Sequence, residues 1–145
     1  MTIEVVDRAR LEKILPLIAG YQQSYGKEAN TERNRSFFGQ YADGENLGGI
    51  QFVAMENDKP VGFATLYFLP SSTSAREYCY LNDLFTVPEC RGKGIGRALI
   101  LHCKQYAESK GFRGIEWQTM TSNTTAQRLY DSLGGSRSSW YTYSL

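Results

Sequence analysis

From Leu84 to Arg97 the chain reads Leu-Phe-Thr-Val-Pro-Glu-Cys-Arg-Gly-Lys-Gly-Ile-Gly-Arg. A strand pattern ends, Pro88 enforces a turn, and Gly92, Gly94 and Gly96 alternate before a helical pattern begins. Residues without Cβ let backbone N–H groups converge on a ligand. A helix start adds unpaired N–H groups and the positive end of the helix dipole. Together these make a cradle for an anion, with Arg91, Lys93 and Arg97 adding charge around it. The plainer alternative is a flexible glycine turn with solvated charges. The Walker A pattern is absent. The dinucleotide pattern G-x-G-x-x-G also fails, because Arg97 stands where its third glycine belongs. Arg91-Gly92-Lys93-Gly94-Ile95-Gly96 fits [RQ]-x-x-G-x-[GA].

A second group of polar residues flanks this loop. Tyr130 falls on the apolar face of a helical pattern with Ala126, Leu129 and Leu133, so its ring faces inward and its hydroxyl needs a partner. A core tyrosine bonded to a backbone carbonyl and a proton donor in a site are the two roles open to it. Asn123 has the position of an N-cap, which does not exclude a ligand contact. Asn82 and Asp83 precede the loop and, by strand alternation, point to opposite faces. Asp83 is a candidate proton acceptor or substrate contact, with a solvated or structural role as its rival. Glu28 and Glu32 are further candidate contacts. His102 reads as a packed histidine.

The elements that must position these residues follow from periodicity. Thr2 to Val6 is a strand. Asp7 caps a helix to about Tyr25, with Leu11, Ile14, Leu15, Ile18 and Tyr21 on one face and Pro16 expected to kink or split it. Thr31 to Tyr41 is a weaker helix, and Asp43 to Gly49 a loop. Ile50 to Glu56 and Val61 to Leu69 form a hairpin whose second strand, apolar on both faces, is central. Glu77 to Val87, Gly114 to Met120 and Ser138 to Leu145 are strands. Ile95 to Ser109 and the segment capped by Asn123 are helices. The order β-α-α-β-β-β-α-β-α-β implies an α/β (α+β) mixed sheet flanked by helices in a single domain, 1–145.

The glycine loop, the segment Leu81-Asn82-Asp83-Leu84-Phe85 and the run Asn123-Thr124-Thr125-Ala126-Gln127-Arg128-Leu129-Tyr130 with Gly134 together resemble the GCN5-related N-acetyltransferase superfamily. The nearest resemblance is to the spermidine/spermine, thialysine and Hpa-type branch. It implies a mostly antiparallel sheet of six to seven strands with about four helices. It implies acetyl-CoA as co-substrate, held at the pyrophosphate by Arg91, Gly92, Lys93, Gly94, Ile95, Gly96 and Arg97. Backbone groups of Leu84, Phe85 and Thr86, with Asn123, would line the acyl arm. Tyr130 takes the general-acid role by this analogy. The branch carries Leu-Glu-Asp where this chain has Leu81-Asn82-Asp83, so one carboxylate that would meet a polycation is missing. Tyr21, Glu28, Asn82 and Asp83 are the candidate acceptor contacts. The expected activity is acetyl transfer to a primary amine of a small molecule, a polyamine or diamino acid first. A non-catalytic acyl-CoA-binding module, or transfer to a protein, peptide or antibiotic amine, is the alternative.

Composition sets the outer limits. Sixteen basic against fifteen acidic residues leave a net charge of +1, too little for a dedicated nucleic-acid surface. Six basic residues and one acid between Arg91 and Arg113 nevertheless suggest a local positive region beside the loop. No apolar run suits a signal peptide or a membrane span. Three cysteines without a CxxC, and one histidine, point to reduced thiols of a cytoplasmic protein with no metal site. The aromatic C-terminal strand, with Trp140, Tyr141 and Tyr143, suggests a homodimer edge.

Overall fold

The computed structural model describes residues 1–42 and 48–145. Five strands, β1 (Thr2–Val5), β2 (Gly49–Glu56), β3 (Lys59–Ser71), β4 (Arg76–Thr86) and β5 (Ile115–Glu116), lie side by side in chain order. The first four are antiparallel and β5 joins β4 in parallel. Helices α1 (Arg8–Ser24), α2 (Thr31–Gly39), α3 (Ile95–Ser109) and α4 (Thr124–Ser132), with a 3₁₀ turn at Pro88–Cys90, complete the described elements. Two apolar clusters cover the two faces of the sheet. One packs α1 and α2 on Val53, Phe63 and Phe85; the other packs α3 on Phe52, Ala64, Leu66 and Leu81. β3 is therefore central and apolar on both faces, as its composition requires.

Local chemistry sets the boundaries. Asp7 caps α1 by accepting a hydrogen bond from the Arg10 backbone N–H at 2.8 Å. Pro16 neither splits nor ends α1, which runs unbroken through it. It lies on the exposed side, where water can bond the carbonyl it leaves unpaired, while Ile14, Leu15, Leu17 and Ile18 anchor the buried side. The β2–β3 hairpin turns on Asn57 and Asp58, both at positive φ (50° and 60°), the geometry of a two-residue type I′ turn. Gly62 solves a different problem. A Cβ there would lie 2.7 Å from the Phe85 carbonyl oxygen and 3.2 Å from Ile95, so only glycine lets β3 pass beneath the first turn of α3.

Three expectations are corrected. The described sheet has five strands rather than six or seven, because Ser138 to Leu145 forms no strand. That segment carries aromatic residues on what would be both strand faces, and nothing among the described residues covers either: Trp140, Tyr141 and Tyr143 are 91%, 87% and 90% exposed. Its side-chain link to the sheet edge is Gln118 Nε2 donating to Thr142 Oγ1 at 3.4 Å. Second, the strand expected over Gly114 to Met120 contracts to Ile115–Glu116, since β4 and β5 pair only at Cys79–Ile115 and Tyr80–Glu116. Third, strict alternation fails at Asn82. Thr65 pairs with Asp83 but the adjacent Leu66 pairs with Leu81, so Asn82 is the extra residue of a β-bulge. Asn82 and Asp83 are consequently not on opposite faces in isolation: Asn82 Nδ2 donates to Asp83 Oδ1 at 2.9 Å. The loop expected at Asp43 to Gly49 lies largely outside the described residues; Gly49 itself opens β2.

Candidate active site

β4 and β5 part beyond Tyr80 and Glu116, and the opening between them is the centre of the site. A cavity of about 100 Å³ lies there. Tyr21 and Tyr25 from the end of α1, Trp117 and Tyr130 form its aromatic walls, and Asn82, Gln118 and Asn123 supply amides. No charged side chain lines it among the described residues. The Tyr130 ring stands edge-on to Trp117, with centroids 5.3 Å apart. Its hydroxyl has no hydrogen bond among the described residues, which disfavours the plain core role. Burial, then the neighbouring Tyr25, holds its pKa above the usual phenol value. Tyr130 thus keeps its proton through the neutral range, as a proton donor must.

The glycine loop sits at the N-terminal end of α3, directly after β4 and the Pro88–Cys90 turn. Gly92 and Gly94 have φ of +76° and +83°, the left-handed region. Gly94 is the N-cap of α3 and offers no side chain to its first-turn N–H groups. Those donors are open to an anion. Nothing lies within 4 Å of where a Cβ would stand on either glycine, so the cradle is unobstructed. Arg91 is drawn back from it: its Nε donates to the Thr86 carbonyl at 3.1 Å and its guanidinium lies 5.8 Å from the Phe85 ring centroid. Arg97 bonds Ser132 Oγ at 3.0 Å and so ties α3 to α4. The positive region is narrower than the sequence suggests. α3 spans about 22 Å, which places Lys104, Lys110 and Arg113 toward its far end, where Lys104 pairs with Glu108 and Arg113 with Glu116. Arg91, Lys93 and Arg97 remain at the loop.

Asp83 lies on the α1 side of β4, 4% exposed, beneath Tyr21 and off the cavity wall. Burial raises its pKa; hydroxyls of Thr65 and Tyr21 and the Asn82 amide oppose that rise. Its Oδ2 has no hydrogen-bond partner among the described residues. Tyr21 connects it to the cavity: the ring packs on Phe63 and Phe85, and the hydroxyl reaches the Asn82 carbonyl at 3.4 Å. Tyr67 and Tyr41, whose rings meet at 5.6 Å, also feel the carboxylate, and burial first and Asp83 second raise both phenol pKa values. Glu28 is exposed and apart from the cavity, and Glu32 pairs with Arg35. Asn123 caps α4, its Oδ1 accepting from the Ala126 N–H at 3.1 Å, while its side chain also borders the cavity. Phe85 is buried in the α1-side core, leaving its main chain as what it can offer a ligand. His102 packs edge-on to Phe52 at 4.7 Å, as expected of a core histidine.

Residues 14–134 match the model of the acetyltransferase (GNAT) family. The chain belongs to that family. An uncharacterised N-acetyltransferase of Bacillus subtilis, YhfO, is 33% identical over 134 residues, covering 92% of this chain and 89% of the relative. The thialysine N-epsilon-acetyltransferase of Caenorhabditis elegans is 31% identical over 63% of this chain and 56% of its own length. A solved structure described as a probable acetyltransferase superposes with a TM-score of 0.90 at 26% identity, over 100% of this chain and 97% of that one. This acetyltransferase shares the fold and the order of elements of that group. GNAT proteins generally use acetyl-CoA, and the open, uncapped cradle at Gly92–Gly96 fits its pyrophosphate.

A test of that fit follows from the Gly94 backbone. Gly94→Val places a branched side chain at a left-handed position, a strain of about 1–3 kcal/mol. The space around it is free, so the expected defect lies in the loop and not in the core. CoA affinity measured by calorimetry should fall roughly tenfold or more, while the unfolding temperature drops by only several degrees, as that strain predicts, and the fold is kept. Retained affinity would place the cofactor elsewhere.

Sequence reasoning missed Gln51, Thr65, Tyr41 and Tyr67. A glutamine within the apolar run Ile50 to Ala54 was the available signal, since buried strands seldom carry an amide without a partner.

Proposed function

We propose that this acetyltransferase moves the acetyl group of acetyl-CoA to a primary amine of a small molecule by direct attack in a ternary complex. The observation that carries this reading is that α3, with the open cradle at its N-terminus, packs at Gly96 beside Leu84 of β4 and Leu129 of α4, while Leu84 and the unbonded Tyr130 of that same helix α4 line the β4–β5 cavity. Acetyl-CoA supplies an activated thioester. Main-chain groups of Leu84, Phe85 and Thr86 flank its arm as β4 parts from β5. The acceptor must lose a proton, because a free alkyl amine has a pKa near ~10. Asp83, reached through Tyr21, accepts it. Tyr130 donates its proton to the departing sulfur. A cavity of about 100 Å³ without charged walls admits a slender amine. Asn82 stands where the polyamine branch carries a glutamate, and no charged side chain lines the cavity among the described residues, which favours a short diamino acid over a long polycationic amine.

The deciding experiment is acetyl-CoA turnover, read as thiol release, against diamino acids, polyamines, aminoglycosides and peptide amines. Turnover of a short diamino acid above the others supports the reading. CoA binding without turnover of any amine would instead favour an acyl-CoA-binding module.

The exposed C-terminal segment supports a homodimer as part of the proposal. Trp140, Tyr141 and Tyr143 are exposed aromatics on a segment that Gln118, just after the edge strand β5, holds through Thr142, and a second copy can cover them. Light scattering should give twice the chain mass, and removal of residues 138–145 should give the single mass. A monomeric full-length chain would overturn this.

A further inference from the structure

Three polar side chains cross the middle of the sheet in register. Gln51 on β2 stands opposite Thr65 on β3, and Thr65 stands opposite Asp83 on β4. Gln51 and Thr65 are fully buried and Asp83 nearly so, all on the face covered by α1. Apolar residues would pack this position at no electrostatic cost, so a buried polar row calls for an explanation.

The hydrogen bond between Gln51 and Thr65 gives the row a direction. Gln51 Nε2 donates to Thr65 Oγ1 at 2.9 Å. With that lone pair engaged, the Thr65 hydroxyl proton is free for the Asp83 carboxylate, whose charged form it favours. Each end of the row keeps one buried oxygen without a partner among the described residues, Gln51 Oε1 and Asp83 Oδ2. Those two unpaired oxygens match the two protonation states of Asp83. When Asp83 is ionised, donors run from Gln51 through Thr65 to the carboxylate. When Asp83 carries a proton, its O–H can donate to Thr65 Oγ1, and Thr65 can donate to Gln51 Oε1 once the amide turns over.

We propose that Gln51 and Thr65 are positioning residues: a hydrogen-bond row whose polarity reverses with the protonation of Asp83, so that Asp83 can take up and release a proton inside the core. This rests on the reading of Asp83 as proton acceptor. The proton balance is closed. The acceptor ammonium passes a proton through Tyr21 to Asp83 and becomes an amine. The amine nitrogen forms a bond to the acetyl carbon as the carbon–sulfur bond breaks. Sulfur takes the Tyr130 proton, the nitrogen's surplus proton restores Tyr130, and Asp83 releases its own to solvent. The groups that face Asp83 are Tyr21 from α1, Tyr41 from the segment after α2, Thr65 and Tyr67 from β3, and Asn82 beside it. None is a formal charge, so the row and the hydroxyls govern its titration.

The test is the pH dependence of kcat/KM with one amine acceptor, paired with an infrared titration that reads the Asp83 carboxyl by difference from Asp83→Asn. Thr65→Val removes the donor to the anion. It should move the acidic limb and the carboxyl titration together to higher pH, by about one unit, the size expected when a hydrogen bond to a charged group is lost. Thr65→Ser keeps the hydroxyl and should restore the original profile, which a purely packing role would not do. Gln51→Leu should shift both readings in the same direction by less. If Thr65→Val folds and leaves both readings in place, the row has no part in the titration and the proposal fails. If Asp83→Asn itself leaves the acidic limb unchanged, the reading of Asp83 fails instead.

Discussion

Tyr130→Phe should lower kcat on the order of 10²-fold or more, the usual contribution of a positioned acid, while CoA affinity stays as it was. What the hydroxyl does and does not touch decides this. It borders the cavity between β4 and β5 and makes no hydrogen bond among the described residues. Its removal therefore breaks no contact that holds α4, and the ring keeps its edge-on packing with Trp117. The unfolding temperature should be nearly unchanged, which separates lost chemistry from lost structure. Because burial holds the phenol above its ordinary pKa of 10.0, the wild-type acid stays protonated throughout the neutral range. Steady-state kinetics on thiol release, with CoA titrated separately, checks both halves. An unchanged kcat would remove Tyr130 from the acid role.

The site was legible where local rules act alone. Asp7 and Asn123 are short polar residues ahead of amphipathic runs, and both cap the helices they precede. Ile95–Ser109 is a helix between the bounds its pattern gives, because Gly94 and Gly111 mark both ends at positive φ. The cradle was readable since glycine readily adopts that backbone where other residues are strained. What escaped depends on relations between strands. A bulge is set by the pairing of β3 with β4, and nothing in Leu81-Asn82-Asp83 announces which residue is extra. Once Asn82 is looped out, Asp83 and Phe85 share the α1 side while Leu81 keeps the α3 side, and the carboxylate enters the core. The register of Gln51, Thr65 and Asp83 is likewise invisible until three strands are aligned. The C-terminal segment misled for the opposite reason: its β-prone aromatics fit a strand, but they would lie on both strand faces, and nothing among the described residues covers either.

Asp83→Asn carries the second large effect, and its sign differs between activity and stability. If Asp83 takes the acceptor's proton, the amide cannot, and kcat/KM should fall on the order of 10²-fold, with loss of the acidic limb. Stability should move the other way. Burial raises the folded-state pKa of Asp83 above its unfolded value, so between the two values the folded chain binds more protons than the unfolded one. Stability then falls as pH rises through that window and is lowest once Asp83 is ionised in both states. The amide of the Asp83→Asn variant does not titrate, and it satisfies no fewer partners than an anion with one unpaired oxygen. The variant should therefore be at least as stable as the wild type at neutral pH, and its unfolding temperature should depend less on pH between the ordinary carboxylate range and neutrality. Thermal denaturation at a series of pH values measures this directly. A structural carboxylate would show the reverse, a less stable variant with its activity largely intact. An active site that retains a buried, incompletely bonded acid gives up stability for reactivity, and this substitution reads both quantities in one molecule.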